Sequence, residues 1–176
     1  MSTLESLTER VPEHARDLKL NLGAVLGDGR LAEPLRYAIA LASALTNRHG
    51  SLATALEAAL RARAGEHADK YIDDARAAVA LMGMNNVYYR FRSKIGKDSY
   101  GQKPARLRMQ RIAKPATTKA EFELVCLAVS AINNCETCVK SHEHEVLSAG
   151  LDEDQVHDAV RIAAVINGLS LALDDR

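Results

Sequence analysis

Residues 118–134 read TKAEFELVCLAVSAINN, and this stretch has the form of one buried helix with a clear start and stop. Thr118 and Glu121 form the pattern of a capping box, in which each side chain satisfies a free N–H group at a helix N-terminus. The run that follows is mostly apolar as far as Ile132, and Asn133 begins a polar break. The stretch therefore predicts a core helix that ends near Ile132, with another helix starting close behind it.

A segment earlier in the chain resembles the end of this helix. Residues 43–47 read SALTN, and residues 130–134 read SAINN, 87 positions later. Asp74-Ala75 and Asp158-Ala159 recur in the same way at an offset of 84. These echoes indicate a single all-α domain over residues 1–176, built from two similar helical halves. The predicted halves are roughly residues 30–95 and 115–176.

Capping residues, glycines and prolines divide the rest of the chain into further helices, and no segment has the pattern of a strand. A capping box at Ser2 and Glu5 opens the first helix, and residues Ile95 to Pro104 form the long connection. The other predicted helices run from Pro12 to Gly27 or Gly29, Pro34 to Leu45, Ser51 to about Gly65, Ala68 to Met82, Cys135 to Gly150 and Asp152 to Leu171.

The composition narrows the function classes. The 176 residues include 47% hydrophobic but only 4% aromatic residues, a balance that suits closely packed helices. The 23 basic and 23 acidic residues cancel, which argues against a nucleic-acid binder and against binding to an anionic membrane surface. The N-terminus lacks a signal-peptide core, and the longest apolar segments fall short of the roughly 18 residues of a membrane span. We therefore expect a cytoplasmic protein with no membrane partner.

Residues 134–144, NCETCVKSHEH, hold the chemistry-bearing side chains. At about 100° per residue, Cys135, Cys138 and His142 share one arc of roughly 60° on a helix. Cys135 lies at the predicted helix N-terminus, where free N–H groups and the helix dipole favour a thiolate. The spacing therefore places two thiols and one base together.

Three interpretations of this cluster stay open. A redox dithiol is favoured, because C-x-x-C at a helix start in a cytosolic chain is typical of one. A zinc-binding interaction module using Cys135, Cys138 and His142 would need a fourth ligand from elsewhere. Two structural thiols beside a surface histidine are the third possibility. Covalent haem attachment is excluded, because Val139 and not a histidine follows the second cysteine.

Two residues upstream complete the candidate set. Cys126 lies in the apolar run LVCLA and is predicted to be a core residue. Glu121 serves the capping box, so Glu123 is the glutamate expected to turn inward. A buried carboxyl beside His142 could relay a proton to the thiols, although spacing alone does not bring Glu123 to them.

The same residues resemble a known family. Glu123, followed twelve positions later by Cys135 and then by Cys138 and His142, is similar to the active-site pattern of the alkyl hydroperoxide reductase D (AhpD) family, within the carboxymuconolactone decarboxylase-like superfamily. Three further stretches resemble family signatures: DLKLNL at residues 17–22, MGMNNVYYR at 82–90 and SAIN at 130–133.

The resemblance implies an all-α fold of two similar halves, with the redox site in the C-terminal half, assembled as a homotrimer. It implies an antioxidant alkyl hydroperoxide reductase without a metal or a tightly bound cofactor. Dihydrolipoamide, carried on a lipoylated dehydrogenase-complex subunit, would be the reductant, and an AhpC-type peroxiredoxin would receive the electrons.

The resemblance also assigns roles to the four residues. Cys138 would be the nucleophile that becomes a sulfenic acid, and Cys135 would donate a proton, close the disulfide and exchange with the peroxiredoxin. Glu123 and His142 would form the proton relay. Thr137 departs from the family, which carries histidine between the cysteines, and a threonine hydroxyl does not titrate near neutral pH.

Overall fold

The computed structural model describes residues 3–174, and all regular structure in that range is helical, as predicted. Short 3-10 turns at Glu13–Ala15 and Gly65–His67 precede the second and fifth helices. The helices are α1 Leu4–Thr8, α2 Arg16–Gly27, α3 Glu33–Thr46, α4 Gly50–Ala64, α5 Ala68–Ile95, α6 Asp98–Gly101, α7 Gln110–Ala113, α8 Lys119–Ile132, α9 Glu136–Ser148 and α10 Glu153–Asp174.

Helices α3 and α8 form the centre of the core. Every residue from Leu35 to Ala44 in α3 is buried, and so is every residue from Phe122 to Ser130 in α8. The two helices pack against each other, and α5 and α10 pack against both. Helix α4 lies against α3, and α9 lies against α8. Small side chains, above all alanine, let the helix backbones approach closely enough for this arrangement.

The side chains that cap the helix N-termini agree with the prediction at α8 and differ from it at α4. The capping box of Thr118 and Glu121 is present, with both reciprocal hydrogen bonds formed. Ser2 lies outside the described residues, and within them the Thr3 side chain caps α1. Ser51, the predicted cap of α4, is not its cap, because the ring Nδ1 of His49 accepts from the Leu52 N–H at 3.1 Å and the cap therefore lies two residues earlier, at His49.

Helix α5 is much longer than predicted. Its predicted end at Met82 is wrong, because the helix continues for 13 residues to Ile95 and stops only where Gly96 adopts a left-handed φ of +61°. Gly83 does not break it, since nothing requires a left-handed conformation there. The long connection consequently begins at Gly96 and extends to Thr117, with α6 and α7 inside it.

Two hydrogen bonds repeat between the proposed halves. Asp158 accepts from the Arg30 N–H at 2.9 Å in the segment before α3. Asp74 accepts from the Ala116 N–H at 3.0 Å in the segment before α8. Each aspartate therefore anchors the start of a central helix in the other half of the chain. The repeated contacts support the two-half organisation, which itself stays a prediction.

Helix α10 is long and apolar enough to meet the criteria for a membrane span over Glu153–Leu173, with a mean hydropathy of 1.4. It nevertheless packs against α2, α3 and α8, and 44% of its most apolar segment is buried inside the protein. Core helices of globular domains meet the same criteria. The absence of a membrane partner stays a prediction.

Candidate active site

The sharp turn between α8 and α9 places both cysteines. Helix α8 ends at Ile132, and Asn134 then adopts a left-handed φ of +54°. Cys135 becomes the N-cap of α9, and its carbonyl accepts from the Val139 N–H at 2.9 Å. Cys138 therefore lies in the first turn of α9, where helix N–H groups stabilise a thiolate.

Cys135 and Cys138 are joined by a disulfide, with their Cα atoms 5.3 Å apart. Cys138 is 6% exposed and lines a cavity of about 560 Å³, whereas Cys135 is 1% exposed. A molecule that enters the cavity therefore meets Cys138 and not Cys135.

Glu123, on α8, and His142, on α9, meet as a buried pair. The Oε2 atom of Glu123 lies 2.6 Å from Nδ1 of His142, and the two residues are 3% and 8% exposed. Packing of α8 against α9 brings them together across 19 positions of sequence. Both side chains line the same cavity as Cys138. The structure therefore unites all four residues that the sequence singled out.

Met82 is a site residue that sequence reasoning missed. Its thioether sulfur lies 3.1 Å from Nε2 of His142, so the two ring nitrogens face Met82 and Glu123. A thioether is a weak acceptor and no donor, so it orients the ring while competing little for a proton. In the sequence, only its position as the first residue of the MGMNNVYYR signature could have indicated that Met82 belongs to the site.

That signature also holds the turn that carries the cysteines. Asn86 donates through Nδ2 to the Ser130 hydroxyl at 3.0 Å and accepts through Oδ1 from Asn133 Nδ2 at 2.9 Å. Arg90 donates to the Asn133 carbonyl at 2.6 Å. These residues lie in the part of α5 beyond its predicted end. Three further members of the signature line the cavity: Met82, Asn85 and Tyr89.

The connection before α8 closes the cavity on another side. Met109, Ile112 and Ala113, in and beside α7, give it an apolar wall. Arg111 fixes this segment to α5 through Asp74, whose carboxylate lies 2.6 Å away. Burial raises the pKa of Asp74, but hydrogen bonds from the side chain of Thr117, two backbone N–H groups and Arg111 outweigh it and lower the pKa below its ordinary value.

Residues 136 and 137, between the two cysteines, are both exposed, and only Thr137 borders the cavity. Glu136 is exposed and pairs with Lys140 at 2.5 Å, and that hydrogen bond lowers its pKa. Its charge therefore points to solvent. Thr137 is exposed at the rim of the cavity. Within the described residues, its side chain makes no hydrogen bond to Glu123 or His142.

Cys126 is a core residue, as predicted. It is free and fully buried in α8. Burial raises the pKa of its thiol well above the ordinary value, and the nearby charges of Glu123 and Asp74 raise it further. A raised pKa favours the protonated thiol at neutral pH, and Cys126 lies outside the disulfide-bonded pair.

The part of the chain that the structure describes contains no set of ligands for the zinc site considered above. Within residues 3–174, no group of three or more histidine, cysteine, aspartate or glutamate side chains is arranged to hold a metal ion. Cys135 and Cys138 are instead bonded to each other.

Comparison with known proteins identifies the family of the chain. Residues 99–174 match the Carboxymuconolactone decarboxylase family. A protein named alkyl hydroperoxide reductase AhpD from Anaeromyxobacter sp. (strain K) is 53% identical over 174 residues, covering 99% of this chain and 92% of the relative. The chain belongs to the AhpD family. Proteins of the same name from Solibacter usitatus (strain Ellin6076) and Methylocella silvestris are 45% and 41% identical, over 97% and 98% of this chain and 95% of each relative.

Proposed function

We propose that this protein is a thiol-dependent alkyl hydroperoxide reductase with Cys138 as its nucleophile. The observation that supports this most directly is the Cys135–Cys138 disulfide, with Cys138 on the cavity beside the Glu123–His142 pair. The names of the relatives supply the substrate class.

In the oxidative half-reaction the Glu123–His142 pair takes the proton of the Cys138 thiol. The thiolate attacks the terminal oxygen of the hydroperoxide, so an S–O bond forms as the O–O bond breaks. The alkoxide takes the proton from the pair and leaves as the alcohol. The Cys135 thiol then attacks the sulfenic sulfur, which forms the disulfide and releases water.

In the reductive half-reaction one thiolate of dihydrolipoamide attacks one sulfur of the disulfide and forms a mixed disulfide. The resemblance points to Cys135 as the residue that exchanges with the partner. The burial of Cys135 and the position of Cys138 on the cavity favour Cys138 instead. Cys135 would leave as a thiolate, which the N-terminus of α9 stabilises. The second thiol of the same dihydrolipoamide then attacks the mixed disulfide, so that Cys138 leaves as a thiol and the reductant leaves as cyclic lipoamide.

Two single variants decide which cysteine exchanges. With Cys135→Ser, the remaining Cys138 thiol should displace one sulfur of the oxidised, disulfide-bonded peroxiredoxin and accumulate a mixed disulfide with it, and Cys138→Ser should form little. Intact-mass spectrometry of both variants reads this out. Preferential trapping on Cys135 would restore the role that the family resemblance assigns.

The cellular donor and acceptor follow from the family. We propose dihydrolipoamide on a lipoylated dehydrogenase-complex subunit as the reductant, and an AhpC-type peroxiredoxin as the partner, in the cytoplasm, where thiols stay reduced. The test is hydroperoxide consumption with dihydrolipoamide, with and without the peroxiredoxin. Absence of turnover in both assays, or turnover that survives Cys138→Ser, contradicts the proposed function.

A homotrimer is part of the same proposal. Val87, Phe91 and Ile95 lie four residues apart on α5 and are 60%, 43% and 42% exposed, and Tyr100 packs edge-on against Phe91. An exposed apolar stripe of this kind is typical of an interface between subunits. Light scattering should give three times the 19.1 kDa chain mass, and Phe91→Glu should lower it. A wild-type mass of one chain contradicts the trimer.

A further inference from the structure

Asn85 is a buried polar residue of the cavity that the chemistry above does not use. It lies on α5, three residues after Met82, and is 5% exposed. Its Nδ2 group donates to the sulfur of Met109 at 3.0 Å. Its carbonyl oxygen Oδ1 is buried and has no hydrogen-bond partner among residues 3–174.

The contact with Met109 distinguishes the nitrogen of the Asn85 carboxamide from its oxygen. A thioether accepts hydrogen bonds and does not donate them, so the nitrogen must face Met109 and the oxygen is the atom left over. A buried carbonyl oxygen without a donor is unfavourable, because it has lost its hydrogen bonds to water and gained none in the protein. A molecule in the cavity that offers an O–H group to Oδ1 would remove that penalty, and the broad terminal torsion of asparagine allows the small adjustment of the carboxamide that this contact needs.

The rest of the cavity selects the kind of molecule. Met109, Ile112 and Ala113 form an apolar wall, and Cys138 supplies the sulfur. An alkyl hydroperoxide combines a hydrocarbon group, which suits this wall, with one O–H donor beside the O–O bond. Hydrogen peroxide has the donors but no hydrocarbon group to bury.

We propose that Asn85 binds the substrate by accepting a hydrogen bond from the hydroperoxide O–H group. The proposal rests on the proposed function, because it assigns a substrate contact within the same cavity. The hydrogen bond holds the terminal oxygen, which is the atom that the Cys138 thiolate attacks, while the alkyl group lies on the apolar wall. Asn85 takes no proton and leaves the balance of the reaction unchanged.

Two unreactive analogues test this without turnover. Cumyl alcohol keeps the O–H donor and the hydrocarbon, and cumyl methyl ether lacks the donor. Titration calorimetry on the disulfide form should show the alcohol binding about tenfold more tightly than the ether, as expected for one additional hydrogen bond in a buried site. Equal affinity of the wild-type protein for both analogues overturns the proposal.

Three variants assign the effect to Asn85. Asn85→Leu should bind both analogues equally, and Asn85→Asp, which keeps an acceptor oxygen, should retain the preference for the alcohol. Asn21→Leu makes the same change on the exposed surface of α2 and should match the wild type. A preference that persists in Asn85→Leu overturns the proposal, and if that variant does not fold, loss of the preference in Asn85→Asp does so.

The two proposals fail in different ways. If the wild-type protein prefers the alcohol but consumes no hydroperoxide, the proposed function fails while the Asn85 contact stands as a hydroxyl-binding site. If hydroperoxide is consumed but the alcohol and ether bind alike, the Asn85 contact fails and the proposed function stands.

Discussion

Substitution of Glu123 by glutamine tests the buried pair at the centre of the site. Glutamine keeps the size of the side chain, and its carbonyl oxygen still accepts from His142 Nδ1, so we expect the fold to survive. The negative charge is lost. A hydrogen bond to a charged group contributes about 1.5–3 kcal/mol, and this one spans 2.6 Å between residues that are 3% and 8% exposed.

If that contribution supports proton removal from Cys138, Glu123→Gln should slow oxidation of the dithiol by about 10- to 150-fold. The assay is a single turnover of the reduced protein with excess cumene hydroperoxide, quenched by acid and followed by counting the remaining thiols. Glu136→Gln is the matched control, because Glu136 adjoins Cys135 but faces solvent. A Glu123→Gln rate within twofold of the wild type would refute the relay.

Three further predictions concern the scaffold. Asp74→Asn should lower the free energy of unfolding by about 2–4 kcal/mol at pH 7, because charge-assisted hydrogen bonds are lost. Since the folded-state pKa of Asp74 is lowered, the stability difference between the wild type and Asp74→Asn should shrink as the pH falls below 3.8. Equal urea midpoints of the two proteins at pH 7 would contradict this prediction. Burial, together with the hydrogen bond to Glu121, raises the pKa of Tyr71 to about 12. The contribution of the protonated Tyr71 hydroxyl to the free energy of unfolding should therefore be complete below pH 10 and decline toward pH 12. Phenolate absorbance of the wild type minus Tyr71→Phe checks this, and ionisation near pH 10 would contradict it. Cys126 should resist a thiol reagent in the native protein at neutral pH and react in denaturant, because burial raises its pKa; rapid native labelling would be the opposite result.

The parts of the site that were predictable lie close together in sequence. Thr118 and the apolar run after it define α8, and the polar break at Asn133 defines its end. Helical spacing alone placed Cys135, Cys138 and His142 on one face. The contact of Glu123 with His142 followed from the family resemblance, since it depends on how α8 packs against α9.

The parts that were missed depend on contacts between distant positions. Met82 touches His142 across 60 positions of sequence, and Asn86 touches Ser130 across 44. No local pattern encodes such contacts. The same contacts explain the length of α5, because burial of Asn85 and Asn86 against the second half stabilises helix beyond Met82, where glycine and two asparagines disfavour it locally.

The central claim is that Cys135 and Cys138 form the redox pair and Cys126 does not. The most direct test counts thiols under denaturing conditions before and after the reduced protein meets one equivalent of cumene hydroperoxide. The count should fall from three to one in the wild type and stay at two in Cys138→Ser. An unchanged wild-type count, or a loss of two thiols that includes Cys126, would contradict the account.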